Sequence, residues 1–95
     1  MHALDALANP VRREILLYLR DSPLTAGQLA VRFPVSRPAI SRHLKVLSDG
    51  GLVELRGEGS RNLYAIRISG FAPVRAFLDQ FWDSALARLE ALSRQ

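Results

Sequence analysis

The sequence predicts a mainly α-helical domain with one β-hairpin, in the order α-α-α-α-β-β-α. Apolar residues recur at helical spacing in four stretches before Gly50 and in one long stretch after Gly70. Strand-like alternation begins directly after Gly50 and Gly51. A Gly-Glu-Gly-Ser run then divides the alternating segment into the two strands of a hairpin.

Length and composition limit the chain to one globular domain. It has 95 residues, of which 48% are hydrophobic and 23% charged, which is typical of a globular protein with a modest core. There are no cysteines, which excludes disulfides and thiolate metal sites. No apolar run approaches the roughly 20 residues of a membrane span. No signal peptide opens the chain, so we expect a cytoplasmic protein that does not enter a membrane.

The positive charge is concentrated in the middle of the chain. The formal net charge is +4, which favours an anionic partner. Six basic residues stand against three acids between Arg32 and Arg61, whereas three basic and three acidic residues balance from Pro73 onward. The basic excess therefore belongs to the segment around the fourth helix and the hairpin.

The first two helices are separated by an Asn-Pro pair. A short helix is expected over residues 2–8. Asn9 can cap the next helix through its side-chain oxygen, and Pro10 is preorganised for the first helical turn. Apolar residues at helical spacing extend this second helix to Arg20.

The third and fourth helices are joined by a short Phe-Pro-Val connector. The third is expected over residues 25–32, with Thr25 as its cap. Ser36 can cap a fourth helix over residues 36–49, with Pro38 in its first turn and two glycines at its end. This spacing is typical of a helix-turn-helix, although short helices joined by short turns occur in many α-rich folds.

The fourth helix has two different faces when its residues are spaced by about 100°. Ile40, Leu44 and Leu47 share an apolar arc that must be buried. The opposite arc is cationic and hydroxylated, and it comprises Arg37, Ser41, Lys45 and Ser48, with Pro38 at its edge and Arg42 further round. Arginine can pair with guanine, and serine with a base or a phosphate, so this face suits a DNA groove. On this helix alone, a solvated surface is the alternative.

A basic hairpin is predicted after the glycines. Residues 52–55 form its first strand, residues 57–60 its tip with two glycines available for positive φ, and residues 63–68 its second strand. Arg56 and Arg61 flank the tip. A basic hairpin directly after a helix-turn-helix is a winged-helix arrangement, in which the wing can contact the DNA backbone or minor groove.

The last helix, from Phe71 nearly to Gln95, carries a wide apolar band. The band comprises Val74, Phe77, Leu78, Phe81, Trp82, Ala85, Leu89 and Leu92. A domain of this size has little core left to cover such a band. We therefore interpret it as a dimer surface, joined by Leu4 and Leu7 of the first helix. The alternative is that the band packs on its own core.

With these residues placed, the chain resembles the ArsR-type (ArsR/SmtB) bacterial winged-helix repressors over nearly its whole length. The matching runs are LANPVRREILLYL, LTAGQLAVRFPVSRPAISRHLKVLSDGGLVEL, RGEGSRNLY and FLDQFWDSALARLEAL. The resemblance implies a homodimer, formed by the terminal helices, that represses transcription. It would bind double-stranded DNA at an operator of two-fold symmetry, one reading helix per half-site, and release it on an unassigned signal.

The resemblance places DNA contacts on two elements. Arg37, Pro38, Ser41 and Arg42 fall where the family's reading helix meets DNA, and Arg56 and Arg61 fall on the wing. Ser36, Lys45 and Asn62 complete the predicted set of DNA-binding residues.

The chain departs from the metal-sensing members of this family. Many of them carry a Cys-x-Cys run on the third helix, where this chain has Gln-Leu-Ala-Val. Others use Asp and His pairs on the last helix, whereas Asp79 and Asp83 have no histidine nearby. We expect neither a metal nor another cofactor, as in the branch without metal ligands.

The remaining polar residues do not indicate an enzyme. His43 falls beside the apolar arc, which favours a packed or phosphate-bonded imidazole over one that reads a base. Asp79 and Asp83 lie one turn apart but lack a nucleophile or cofactor motif nearby. The alternative function is a winged-helix module that binds protein without reading DNA, and the basic arc argues against it.

Overall fold

The computed structural model describes residues 2–94 and has the predicted order of elements. The elements are α1 (His2–Ala6), α2 (Pro10–Asp21), α3 (Ala26–Ala30), α4 (Arg37–Asp49), β1 (Val53–Glu58), β2 (Arg61–Ile66) and α5 (Ala72–Ser93). A 3₁₀ turn, Ile68–Phe71, connects the hairpin to α5. The prediction of a mainly α-helical fold with a β-hairpin wing is confirmed.

The three predicted N-caps are present. Asn9 Oδ1 accepts a hydrogen bond from the N–H of Val11 at 2.8 Å. Thr25 Oγ1 accepts one from the N–H of Gln28 at 3.1 Å, and the Gln28 side chain accepts one from the Thr25 N–H at 2.8 Å, which completes a capping box. Ser36 Oγ accepts one from the backbone three residues later at 3.2 Å. Each cap pairs a backbone donor that would otherwise be unsatisfied.

Two helices end earlier than predicted. α1 ends at Ala6 instead of residue 8, and α3 ends at Ala30 instead of residue 32. After α3, the N–H of Arg32 bonds to the carbonyl of Leu29 at 3.0 Å, and the N–H of Phe33 bonds to that of Ala30 at 3.3 Å. These i to i−3 bonds tighten the chain into turns before it reaches α4.

α4 ends in a Schellman motif centred on the second of the two glycines. Gly51 has φ +79°, and its N–H bonds to the carbonyl of Ser48 at 3.0 Å. The N–H of Leu52 bonds to the carbonyl of Leu47 at 3.0 Å. Gly50 stays right-handed, with φ −77°. Only Gly51 therefore uses the left-handed conformation that the sequence predicted for this pair.

The hairpin is tighter than predicted. β1 and β2 pair antiparallel from Val53 opposite Ile66 to Glu58 opposite Arg61, which leaves a two-residue loop. Gly59, the first loop residue, has φ +62°, as the first position of a type II′ turn requires. The predicted tip of residues 57–60 is thus too long.

The ends of both predicted strands were misplaced, as Gly57 and Ile68 illustrate. Gly57 was expected in the tip, but it lies in β1 opposite Asn62. Ile68 was expected in the returning strand, but it begins the 3₁₀ turn and is 79% exposed. β2 ends at Ile66, and one further backbone bond follows in the same register, from the N–H of Arg67 to the carbonyl of Leu52 at 2.9 Å.

A further backbone contact fixes the wing to the helical part. The N–H of Tyr64 bonds to the carbonyl of Leu24 at 2.7 Å, and the N–H of Leu24 bonds to the carbonyl of Tyr64 at 3.0 Å. This isolated antiparallel bridge places the middle of β2 beside the residue that precedes the Thr25 cap. The start of α3 and the wing are therefore held together.

The core lies beneath α4. Its largest fully buried side chains are Ile15, Leu29, Ile40, Leu44, Leu47 and Leu52. Three of these six form the apolar arc of α4, so the predicted orientation of that helix is confirmed. Burying an Ile or Leu side chain contributes about 1.5–3 kcal/mol. α4 is thus held by its underside, and its cationic face points away from the core.

α5 leaves its apolar band largely uncovered by the rest of the chain. Val74 at its start is buried with the core, at 8% exposure, whereas Trp82 is 63% exposed. Phe77, Leu78, Phe81, Leu89 and Leu92 are also exposed. The predicted alternative, in which the band packs on its own core, is therefore wrong beyond the first turn.

Within residues 2–94, no helix is long and apolar enough to cross a lipid bilayer.

Candidate nucleic-acid interface

The predicted DNA-binding residues of α4 form one exposed surface. We call this the reading surface, and it comprises Ser36, Arg37, Pro38, Ser41, Arg42 and Lys45, all exposed. The helix is oriented by its buried arc on one side and by the Ser36 cap at its start. The surface therefore combines three cations with two hydroxyl groups on a helix that packing holds in place.

Two of the three cations on the reading surface have no acidic partner within residues 2–94. Lys45 Nζ lies 3.2 Å from Asp49 Oδ2, in an exposed i, i+4 pair. Such a pair contributes only about 0.3–0.5 kcal/mol, so a phosphate could readily displace it. Within residues 2–94, neither Arg37 nor Arg42 forms a salt bridge. The reading surface is consequently electropositive.

The two predicted wing arginines differ in whether an acidic side chain balances their charge. Arg56 donates from Nε and Nη2 to Glu54 Oε1, at 3.2 and 3.0 Å, so its charge is partly balanced. Arg61 and Asn62 are exposed at the start of β2. Arg61 has no salt bridge among the described residues, and it is the freer of the two wing cations.

The wing and the reading helix meet at a cleft, which we call the α3–wing cleft. It has a volume of about 390 Å³ and is lined by Thr25, Ala26, Arg37, Ser60, Arg61, Asn62 and Tyr64. The Arg37 guanidinium lies over α3, with its Cζ 3.7 Å from the point that a Cβ on Gly27 would occupy. Arg37 and Arg61, predicted on separate elements, are thus brought to one concave surface.

His43 lies on the inner side of the reading helix. Its Nδ1 is 3.4 Å from Arg12 Nη1, and the imidazole is half-buried. Burial, followed by the charges of Arg12 and Arg42, lowers the pKa of His43 below its usual value of 6.5. The neutral ring can accept a hydrogen bond from Arg12. These contacts favour the packed imidazole over the base-reading one.

Two arginines of α2 have a role that was not predicted from the sequence. Arg12 donates from Nε to the carbonyl of Ala6 at 2.7 Å and from Nη2 to that of Asp5 at 3.2 Å. Arg13 donates from Nη1 to the carbonyl of Leu7 at 2.7 Å. Both side chains therefore satisfy carbonyls at the end of α1, where cations are favourable. The sequence feature that could have indicated this role is the pair Arg12 and Arg13, which follows shortly after the end of α1.

Arg12 links three helices because it also contacts His43. One guanidinium joins the end of α1 to the inner side of α4, from a position near the start of α2.

Among the described residues, no group of three or more His, Cys, Asp or Glu side chains is placed to hold a metal ion.

A family model and a sequence relative both match this chain to helix-turn-helix proteins. A family model described as a helix-turn-helix domain matches residues 7–56. The HTH-type transcriptional regulator Rv2034 of Mycobacterium tuberculosis is 48% identical over 84 residues, which cover 88% of this chain and 78% of that protein.

Two solved structures are similar to this chain in both fold and sequence. A crystal structure described as a possible transcriptional regulator for arsenical resistance has a TM-score of 0.79 and 41% identity, and the match covers 96% of this chain and 95% of that one. The solution structure of a homodimeric winged helix-turn-helix DNA-binding domain from Mycobacterium bovis, described as a possible ArsR-family regulator, has a TM-score of 0.69 and 32% identity, and the match covers 86% of this chain and 76% of that one.

The family match spans most of the elements that build the interface. Residues 7–56 include α2, α3, α4 and most of β1, and the structural matches extend the likeness through the wing and into α5. The relatives are transcriptional regulators, in agreement with the expectation that this chain is not an enzyme. The chain belongs to the ArsR-type winged helix-turn-helix transcriptional regulators.

Proposed function

We propose that this protein is a homodimeric transcriptional repressor that binds a two-fold symmetric operator in double-stranded DNA. α4 lies in the major groove, and the wing, residues 56–62, lies on the flanking backbone or in the minor groove. The residues assigned to DNA are Ser36, Arg37, Pro38, Ser41, Arg42, Lys45, Arg56, Arg61 and Asn62.

The observation that carries this proposal is the reading surface. Arg37 and Arg42 have no salt bridge within residues 2–94, and they lie on a helix whose opposite face is fully buried. A helix held this way can enter a major groove without exposing its apolar arc. Family membership supports the same use of the surface.

The homodimer is supported by the exposed band of α5. A side chain such as Trp82, 63% exposed on a helix with further exposed aromatic residues, is typical of an interface. The homodimeric state of the Mycobacterium bovis relative agrees with this assignment. The residues assigned to the interface are Leu4, Leu7, Phe77, Leu78, Phe81, Trp82, Ala85 and Leu89. Val74, predicted in the same set, is excluded because it is buried in the core of its own chain.

Selection of bound fragments from a random duplex pool tests the proposal. We expect enrichment of an inverted repeat whose half-sites are about 34–36 Å apart, one helical turn or a multiple of it. Arg42→Ala should weaken binding to the selected operator by about 1–3 kcal/mol and relax the base preference at one position. A pool without enrichment, or enrichment of a single half-site by a monomer, would contradict the proposal.

The second candidate function is a winged-helix module that binds protein. The exposed apolar band of α5 is the observation that favours it. Charge reversal at Arg42 and Lys45 distinguishes the two functions, because it should abolish DNA binding and leave a protein-binding module intact. A wild type that selects no duplex, together with a protein partner bound equally by the charge-reversed variant, would favour the module.

A further inference from the structure

We propose that the α3–wing cleft holds a single phosphodiester group of the DNA backbone between Arg37 and Arg61. This inference rests on the proposed function, because the phosphodiester belongs to the duplex that α4 reads. It assigns Arg37 to the backbone and leaves base reading to Ser41 and Arg42. The helix and the wing then act on the same phosphate.

The first support is the direction of the Arg37 side chain. Its Cζ and both terminal nitrogens lie within 3.9 Å of the point that a Cβ on Gly27 would occupy. The guanidinium therefore lies against α3 at the edge of the cleft, and not along the outward face of α4. These are ordinary van der Waals distances, so the guanidinium is packed on α3 at Gly27.

The second support is the charge of the cleft. Arg61 enters it from the wing, and none of its seven lining residues is acidic. Glu58 lies opposite Arg61 in the strand register, but the two form no salt bridge among the described residues. Thr25, Ser60 and Asn62 add polar side chains to the lining. A concave surface with two unpaired guanidinium groups is suited to an anion.

The third support is that backbone contacts hold the two sides of the cleft together. The paired hydrogen bonds between Leu24 and Tyr64 hold β2 beside the start of α3, and the capping box between Thr25 and Gln28 fixes that start. Arg37 is the first residue of α4, directly after the Ser36 cap. The backbones that carry both arginines are thus held in place, which lowers the entropy lost on binding.

The hydrogen-bonding geometry of arginine suits a phosphodiester that accepts from both side chains. Guanidinium is planar, stays charged and can donate two parallel hydrogen bonds to the two non-bridging oxygens of a phosphate. One arginine from each side of the cleft can contact the same group. Lysine, a point charge, would retain the attraction and lose the paired geometry.

A double-mutant cycle in salt tests the shared phosphate. Wild type, Arg37→Ala, Arg61→Ala and the double variant are compared for binding to the selected operator and to a random duplex over a range of KCl. Arg20→Ala is the control, because Arg20 carries the same charge on α2 and lies outside the cleft. Each log K falls with log salt by about 0.9 per phosphate contacted.

We expect both single variants to weaken operator and random duplex by the same factor. The double variant should lose about 0.9 in slope, the amount for one phosphate, rather than about 1.8, the amount for two. A loss near 1.8 would mean two separate phosphates and would overturn the inference. A relaxed base preference in Arg37→Ala would return Arg37 to base reading and also overturn it.

A neutral backbone provides a second measurement. Operators that carry one methylphosphonate at a time should show one position per half-site where wild-type affinity falls and the double variant is unaffected. Absence of such a position would contradict the shared phosphate. Strong binding of inorganic phosphate, detected by NMR shifts of the two arginines, would identify a small-anion site instead. If the wild type binds no duplex in a salt-dependent way, the proposed function itself fails.

Discussion

The backbone of Gly70 lies directly against the carbonyl group of Gly51. A Cβ on residue 70 would lie 1.6 Å from the Gly51 oxygen and 2.6 Å from its carbon. Both contacting atoms belong to the backbone that ends α4, so neither can move aside alone. The 3₁₀ turn before α5 is thus packed on the end of the reading helix.

Gly70→Ala should therefore destabilise the protein. Forcing one methyl group into this contact must shift the 3₁₀ turn or the Schellman motif, and overpacking of this kind costs about 1–3 kcal/mol or more. Urea unfolding followed by circular dichroism measures the loss. Gly57→Ala is the matched control, because no atom lies within 4 Å of its added Cβ and its φ is not positive. Equal stability of the two variants would contradict the contact.

The apolar arc of α4 makes a second prediction. Leu47→Ala should lower the free energy of unfolding by about 2–5 kcal/mol, because the fully buried side chain leaves a cavity in the core. Val46→Ala, one residue earlier and 39% exposed, should cause a smaller loss. An unchanged urea midpoint for Leu47→Ala would mean that the faces of α4 are reversed.

His43 makes the stability depend on pH in a defined direction. Burial and the charges of Arg12 and Arg42 lower the pKa of His43 in the folded state below the usual 6.5 of the unfolded chain. The unfolded chain then binds the proton more tightly, so stability is intact above the unfolded pKa and falls as the pH drops through the folded pKa. Protonation would also place a cation against Arg12.

The matched variant for this effect is His43→Gln, which keeps a hydrogen-bond acceptor and cannot titrate in this range. Urea midpoints are compared at about pH 7.5 and about pH 5.5, on either side of the histidine range. Wild type should lose more stability than the variant on acidification. The same loss in both proteins would assign the pH dependence to other groups.

The α5 band makes a prediction about assembly. Trp82→Asp places a charge in the exposed apolar band, so it should convert the proposed dimer into monomers in sedimentation equilibrium and weaken binding to the two-fold operator. Gln80→Asp adds the same charge on the same exposed helix outside the band. A dimer that persists in Trp82→Asp would place the interface elsewhere.

Local rules explain most of what the sequence predicted correctly. The caps at Asn9, Thr25 and Ser36 depend on side chains within three residues of their donors. The buried arc of α4 follows from helical periodicity. The length of the hairpin loop was predicted less well, because either glycine, Gly57 or Gly59, could have taken the positive φ.

Contacts between distant residues were not predictable in the same way. In the sequence, Gly70 cannot be distinguished from an ordinary loop glycine, because its contact with Gly51 is visible only in the structure. Arg12 reads as a solvated side chain until α1 and α4 are placed around it. Arg37 was placed on the correct helix, but the packing of its guanidinium against Gly27 of another helix was not predicted. These contacts depend on how elements pack, which periodicity does not determine.

The bridge between Leu24 and Tyr64 also protects the hairpin from unwanted association. An unpaired strand edge is a template on which another chain can add a strand. Leu24 occupies the middle of the outer edge of β2, so a foreign strand cannot pair along its whole length. The opposite edge belongs to β1, which carries Glu54, Arg56 and Glu58, and charged side chains discourage stacking there. The wing can therefore project toward DNA without becoming a seed for aggregation.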